Sequence, residues 1–464
     1  MGISPRFQAS ALVPILLAGA LQAASLSATA APPTFTLTPL LIPNGSSEPE
    51  LAIGSDGTTA MVSLQWLFDP AAYGTLLWTG VFGDTPGFQG IVDNTLQHPG
   101  KMIFGAGDAD IDFGSTGRVH MTTLIILAKP IRGAQIGVSA ITCPRPSGGN
   151  LSVGSCTPQI IDTTESDRPW VTSDGPHVYI SYHDSGRSAL IHVQRSDDDG
   201  FTWNRVGDPV VAQGGTTADA THNNLQGNLA ADPLSHNVYD IYAAGVTGFL
   251  KARTFTLNQI IVSRSNDMGK SWAATVAFSA PEGTNLANIF PALAVDPTNG
   301  NLYAVWSDGH TVSLSSSSDQ GDHWSTAMTV SSAPANTAIF PWVAAYNGIV
   351  DVVYYGTSSA SNLDPNADWH VYFAQLNGSS FRQTVVNATP NHHGVICTGG
   401  TGCGPGTRNL LDLFQIAIDP VVSRAGIIYT DDTLNTSNAP GNFACLPNQA
   451  LPCPLPQAVL AQQQ

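Results

Sequence analysis

The chain has 464 residues and a net charge of −17, set by 17 basic and 34 acidic side chains. That balance argues against nucleic acid and against anionic membrane surfaces as partners. Only 11% of the residues are charged while Gly numbers 45 and Pro 32, which suits a chain of short strands joined by many turns rather than a helical protein.

Residues 1–30 read as a secretory signal: Arg6, an apolar run over residues 11–26, and Ala28-Thr29-Ala30 as a small-residue cleavage site. The run is too short and too Ala-rich for a membrane span, and no other stretch qualifies. An exported mature chain, residues 31–464, is expected to form one domain. No cofactor is indicated, and a monomer without membrane insertion is expected.

Next comes an apolar strand at residues 35–42, followed by seven copies of one pattern: strand, Gly/Asp/Asn turn, strand rich in Val, Ile and Tyr. The copies start near Pro49, Asp110, Arg168, Gly227, Phe290, Phe340 and Leu413. Their turn residues are Asp56, Ser115, Asp174, Asp232, Asp296, Asn347 and Asp419, 51 to 72 residues apart. A repeat of this length with two such strands in each unit predicts an all-β fold, a β-propeller of four-stranded antiparallel blades. Seven starts imply seven blades. The last copy is followed by one further good strand, residues 457–462, so its blade lacks an outermost strand. Residues 35–42 belong to no other blade and are expected to supply it, because an open edge strand is a liability.

Three octapeptides punctuate the middle repeats: SDDDGFTW at residues 196–203, SNDMGKSW at 265–272 and SSDQGDHW at 317–324. Each has the pattern Ser-x-Asp-x-Gly-x-Thr-Trp, with Ser271 and His323 in the Thr position of the second and third. The Asp can accept hydrogen bonds from the amides of its own turn, the Gly supplies a left-handed conformation, and the Trp buries its ring between sheets. They fall where a third strand turns into a fourth.

These octapeptides resemble the Asp boxes of the bacterial neuraminidase (BNR) repeats in the sialidase superfamily. The resemblance spans the repeat architecture of nearly the whole mature chain and implies a propeller, with six blades as the alternative count. It places the boxes on the face away from the catalytic mouth. It also implies a glycoside hydrolase whose mouth holds an arginine clamp, a Tyr nucleophile assisted by Glu, and an Asp acid/base. The Arg-Ile-Pro segment of that family has no counterpart here; the echoes are Arg168-Pro169 and Pro130-Ile131-Arg132. The family's catalytic set therefore does not transfer residue by residue.

The mouth of a propeller is built by the loops between strands two and three and between blades. Those loops carry Lys101, Lys129, Arg132, Arg168, Arg187, Lys251, Arg253 and Arg408, alongside Asp167, Asp184, Asp308, Asp412, Asp431 and Asp432. Arg168, Arg187, Arg253 and Arg408, with His222 and Asn224, are the candidate glycan-binding residues, since guanidinium groups clamp carboxylates. His183, Asp184, Asp308, Tyr355 and Asp431 end second strands and are the candidate catalytic groups, with Asp184 and Asp308 the first choices for proton transfer. Each of these also has an ordinary structural use, because Asp terminates strands and makes turns. A secreted sialidase-like hydrolase acting on acidic glycan is the expected function. A polysaccharide lyase on the same scaffold and a non-catalytic propeller that binds glycan or protein are the alternatives.

Six cysteines fall as three local pairs, 143/156, 397/403 and 445/453. Disulfides suit an exported chain. Six cysteines allow 15 connectivities. Zinc held by His392, His393, Cys397 and Cys403 is the other reading.

Overall fold

The computed structural model describes Met1, Gly2 and residues 31–65, 74–128, 133–164, 166–184, 190–210, 224–245, 256–404, 406–437 and 452–464. The chain divides into two units, Met1–Pro32 and Pro33–Gln464. The expected signal, residues 1–30, lies outside the described residues apart from Met1 and Gly2.

The second unit is a seven-bladed β-propeller of four-stranded antiparallel blades, the sixth with a two-residue addition, His392–His393, on its third strand. Its innermost strands are Ser47–Ile53, Ile103–Phe113, Ser166–Asp174, Asn224–Ala231, Ala292–Val295, Thr337–Tyr346 and Gln415–Asp419, one for each repeat. No described helix is long and apolar enough to cross a membrane. Apolar side chains fill the blade interfaces, as where Leu51, Met61 and Trp78 of blade one meet Ile428 and Leu460 of blade seven.

Blade seven closes as the end strands require. From the inside out it runs Gln415–Asp419, Arg424–Asp431, Gln457–Gln463 and Phe35–Leu40. The outer pair is antiparallel, with Phe35 opposite Gln463 and Leu40 opposite Ala458. Leu40 is buried in the cluster that joins this blade to blade one, a contribution of about 1.5–3 kcal/mol for one such side chain.

All three Asp boxes form one turn. In the first, Asp198 Oδ1 accepts from the Thr202 amide at 2.7 Å and Oδ2 from the Thr202 hydroxyl at 2.8 Å, while the Ser196 hydroxyl receives the Gly200 amide at 2.9 Å. Ser271 repeats both contacts with Asp267. In the third box His323 uses its amide, at 3.0 Å, and its ring Nδ1, at 2.7 Å, on Asp319. Position seven therefore needs a side chain that reaches the Asp, and a hydroxyl or an imidazole serves. The residue before each Gly is left-handed too: Asp199 has φ 62°, Met268 62° and Gln320 63°. At Gly200 itself a Cβ would stand 2.2 Å from Thr142 Oγ1, so the first box also presses on blade two.

Blade two has no box. A disulfide between Cys143 and Cys156 joins its third strand to the approach of its fourth, where the box lies elsewhere. Cys397 and Cys403 are also joined, which removes the zinc reading, since disulfide sulfur is no thiolate ligand. Cys453 is disulfide-bonded, and Cys445 lies outside the described residues. Two disulfides of this kind are consistent with a secreted protein.

The inner strands carry the feature that builds the mouth. Register shifts break the pairing at Ser47/Glu50, Ala106/Ala109, Asp167/Trp170, Gln226/Leu229 and Ile339/Trp342. Glu48, Arg168 and Phe340 sit in these bulges with φ of 51°, 50° and 57°, and each precedes a proline. Proline has no N–H to give a sheet ladder, and a bulge re-aims the side chain beside it. Below the bulges, side chains stitch neighbouring blades: Asp110 accepts the Val171 amide at 2.8 Å and Gln415 the Leu51 amide at 2.6 Å. At mid-depth Trp170 of blade three packs on Trp342 of blade six, with ring centroids 5.3 Å apart, and on Phe290 of blade five at 6.0 Å. Both indoles are buried. They plug the channel.

Candidate functional site

Four consecutive blades meet at the mouth above that plug. Blade one gives Glu48, blade two Asp108, blade three Asp167 and Arg168, and the approach to blade seven Arg408 and Asp412. Glu48 is buried, and its Oε1 accepts the Asp412 amide at 3.0 Å. Arg408 holds Asp412 through two nitrogens, Nε at 3.0 Å from Oδ1 and Nη2 on Oδ2. Asp108 is partly exposed and lies close enough to Glu48 for each carboxyl to shift the other's titration.

The electrostatics of the pair follow from burial and crowding. Burial first, then the charges of Asp108 and Asp412, push the Glu48 carboxyl well above the usual carboxylate range. Burial, then Asp167 and Asp412, raise Asp108 to about 6, against the pull of Arg408 and of the hydrogen bond from Glu48. Glu48 thus keeps the proton and donates it to Asp108, the arrangement expected of two carboxyls sharing one site. One layer down, Glu50 is fully buried with no hydrogen-bond partner on either oxygen among the described residues, and burial beside Asp110 raises it well above its ordinary range. Asp110 is raised to about 7, chiefly by burial.

Two of the expected arginines belong here. Arg168 pairs with Asp167 at 3.3 Å and lies over the Phe290 ring at 5.5 Å. Arg408 is the partner of Asp412 just described. Both guanidinium groups are therefore already engaged by carboxylates of this chain. Arg187, Arg253 and His222 lie outside the described residues, as do Lys129, Arg132 and Lys251.

The strand-end candidates are placed differently. His183 is buried opposite Asp167 in the sheet, and burial, with Arg168 nearby, lowers its pKa to about 3, so it is neutral at physiological pH. Asn224 stands near it, at the start of the neighbouring inner strand, and opposes part of that shift. Asp184 follows at the end of that strand, 3.9 Å from His192. Asp308 is exposed and closes its own hairpin, accepting the amides of His310 at 2.9 Å and Thr311 at 2.7 Å. Asp431 does the same for Thr433 at 2.8 Å. Tyr355 is fully buried: it stacks on Phe414 at 4.3 Å, and its hydroxyl accepts the Thr430 amide at 3.2 Å.

The segment that delivers Arg408 and Asp412 is fixed at several points. The Cys397–Cys403 disulfide clips it, and the Asn409 amide group and the His392 ring both reach Asp432 Oδ2, at 2.8 and 2.9 Å. Burial opposes a charge on His392, but Asp432 outweighs it and raises the pKa. Among the described residues no group of three or more His, Cys, Asp or Glu is placed to hold a metal.

The repeats have a counterpart among known families. The BNR repeat-like domain matches residues 158–352, from the last strand of blade two into the second strand of blade six. This stretch of the chain is similar to BNR repeats. That similarity agrees with the Asp boxes and the blades, and it is consistent with the sialidase superfamily. No curated protein matches the chain. Among solved structures, a protein of unknown function from Dyadobacter fermentans is similar at 13% identity and a TM-score of 0.45, over 73% of this chain and 96% of its own. The phage phi92 endosialidase is similar at 10% identity and 0.47, over 93% and 69%. An α-L-arabinofuranosidase from Fusarium graminearum is similar at 15% identity and 0.45, over 70% and 92%. Likenesses this distant say nothing of the chemistry.

Proposed function

We propose that this propeller is an exported glycoside hydrolase that works at the mouth, with Asp108 as the proton donor to the glycosidic oxygen. The Glu48–Asp108 pair carries the reading: a partly exposed carboxyl with a pKa of about 6 rests on a buried one that keeps its proton. A general acid works best with a pKa close to the pH of the reaction. Glu48 does not face the mouth; it acts through Asp108 as a positioning residue. The second carboxylate of a hydrolase stands apart from the acid, by about 5–10 Å. Asp167 fits that part, because it is close enough to raise Asp108 and, among the described residues, is bonded to its neighbour Arg168 alone. In the step, the Asp108 proton passes to the leaving oxygen as the bond to the anomeric carbon breaks, and water attacking that carbon gives its proton to Asp167.

The same geometry favours a neutral glycan over an acidic one. An anionic sugar would have to displace Asp167 from Arg168 or Asp412 from Arg408, with Asp108 beside both. Turnover of neutral polysaccharides, of a fluorogenic sialoside and of uronate polymers by the wild type and by Asp108→Asn tests the proposal. Turnover of a neutral substrate that Asp108→Asn abolishes, with unchanged melting, is the expected result. Glycan binding with no turnover on any of them would make the protein a non-catalytic binding propeller.

A further inference from the structure

The channel has a second end. On the Asp-box face, beyond the Trp170–Trp342 plug, the turns between first and second strands of the blades enclose a cavity of about 620 Å³. Its size lies within the range of small-molecule sites, about 300–1,000 Å³. Three Asp-Pro turns give it a rigid wall. Asp232, Asp296 and Asp419 accept the amides of Leu234, Thr298 and Val421 at 2.9, 3.0 and 2.6 Å, and so fix Pro233, Pro297 and Pro420 at the cavity surface. Phe113 and Tyr346 add aromatic surface between them.

The polar half of the lining has a definite chemistry. Asp112 accepts the Ser173 hydroxyl at 2.7 Å and the Phe113 amide at 2.8 Å, and Ser115 and Thr172 bring further hydroxyls. The one basic side chain in the lining, Arg145, is taken by Asp56 at 2.5 Å. The chamber therefore offers hydroxyls, a carboxyl and flat apolar faces, and no free cation among its described residues. Anions are disfavoured by Asp112, Asp56 and Asp174. A molecule that alternates C–H faces with hydroxyls, and carries no charge, matches both halves of the wall. Because the turns are already fixed, binding costs little ordering of the protein.

We propose that this chamber is a second, non-catalytic site that takes the terminal one or two residues of a neutral glycan. It is separated from the mouth by the tryptophan plug and does not depend on the reading of the mouth. The test is calorimetric titration of the full mature chain with cellotetraose, xylotetraose and α-1,5-arabinotetraose, with trigalacturonate as the charged control. Two variants address the chamber: Ser115→Trp, which fills it, and Tyr346→Ala, which removes an aromatic wall. At least one neutral tetrasaccharide should bind in a manner that Asp108→Asn leaves intact and that both chamber variants weaken tenfold or more, while trigalacturonate does not compete. If Ser115→Trp does not fold, Tyr346→Ala alone decides. Binding of the neutral sugars that neither chamber variant alters, or no binding at millimolar ligand, overturns the second site and leaves the mouth proposal standing. Chamber binding of this kind with no turnover of any substrate by the wild type does the reverse.

Discussion

Glu48 Oε1 accepts the backbone N–H of Asp412 at 3.0 Å, a bond between residues 364 positions apart. It ties the first blade to the approach of the last directly under Asp108. The contact sets both the geometry and the titration of the mouth.

Asp108→Asn should lower kcat by about 10²–10⁴ with a smaller change in KM, as loss of a general acid does. In the wild type, activity should fall as pH rises through about 6, where Asp108 loses its proton. Substrate binding will move that limb. Equal losses in kcat and in binding would point to a binding role instead.

Glu48→Ala removes the hydrogen bond that favours the Asp108 carboxylate, so the alkaline limb should move to higher pH. Glu48→Gln still donates to Asp108 and should restore the wild-type limb. A pH–rate profile separates this positioning role from a merely structural one, which would lower the rate without moving the limb.

Folding stability should be greatest in mild acid. Asp110 and Asp351 are raised to about 7, and Asp112 to about 6, each chiefly by burial. Their unfolded counterparts titrate near 4. Between those values the folded state binds more protons, so stability falls as pH rises from about 4 through about 7. Melting temperature measured from pH 4.5 to 8 should decline, and Asp110→Asn should flatten part of the slope. A melting temperature that climbs over this range would show that these carboxyls are ionised in the fold.

Asp198→Ala should cost about 1 kcal/mol, since the turn amides it releases lie at the surface and can turn to water. Chemical denaturation measures this, and turnover per folded molecule should be unchanged. A loss of activity without a loss of stability would place the box in the functional site.

Deleting residues 31–45 removes the outer strand of blade seven and bares the edge of Gln457–Gln463. The variant should aggregate or lose its cooperative melt. One that melts like its parent would show that the ring does not need this strand.

The blades were legible because each repeat repeats its turn chemistry, and the boxes because Asp, Gly and Trp each have one job in that turn. Closure was legible because one strand was missing at one end and one was spare at the other. The mouth was harder to read. At the ends of second strands Asp308 and Asp431 make turns and Tyr355 packs in the core, while His183 and Asp184 stand opposite Asp167 and Ser166. Bulges in first strands bring further carboxyls and an arginine to the mouth. Two signals pointed there: the X-Pro pairs Glu48-Pro49, Arg168-Pro169 and Phe340-Pro341, and carboxyls at every second position, Asp108, Asp110 and Asp112, in one inner strand. Carboxyls at period two within a buried strand are costly and call for a reason. The pairing of Glu48 with Asp108 depends on which blades are neighbours, and only the folded ring brings them together.

The Gln464 amide donates to the Thr34 carbonyl at 2.9 Å, so the two ends of the propeller meet side by side in blade seven. In space, then, the propeller closes on itself at one place. Joining residue 464 to residue 34 through a short linker and opening the chain between two other blades would give a permuted protein with the same sheet order. Blade seven joins Phe35–Leu40 to Gln457–Gln463, so the ring cannot be locked until the latter strand has been made.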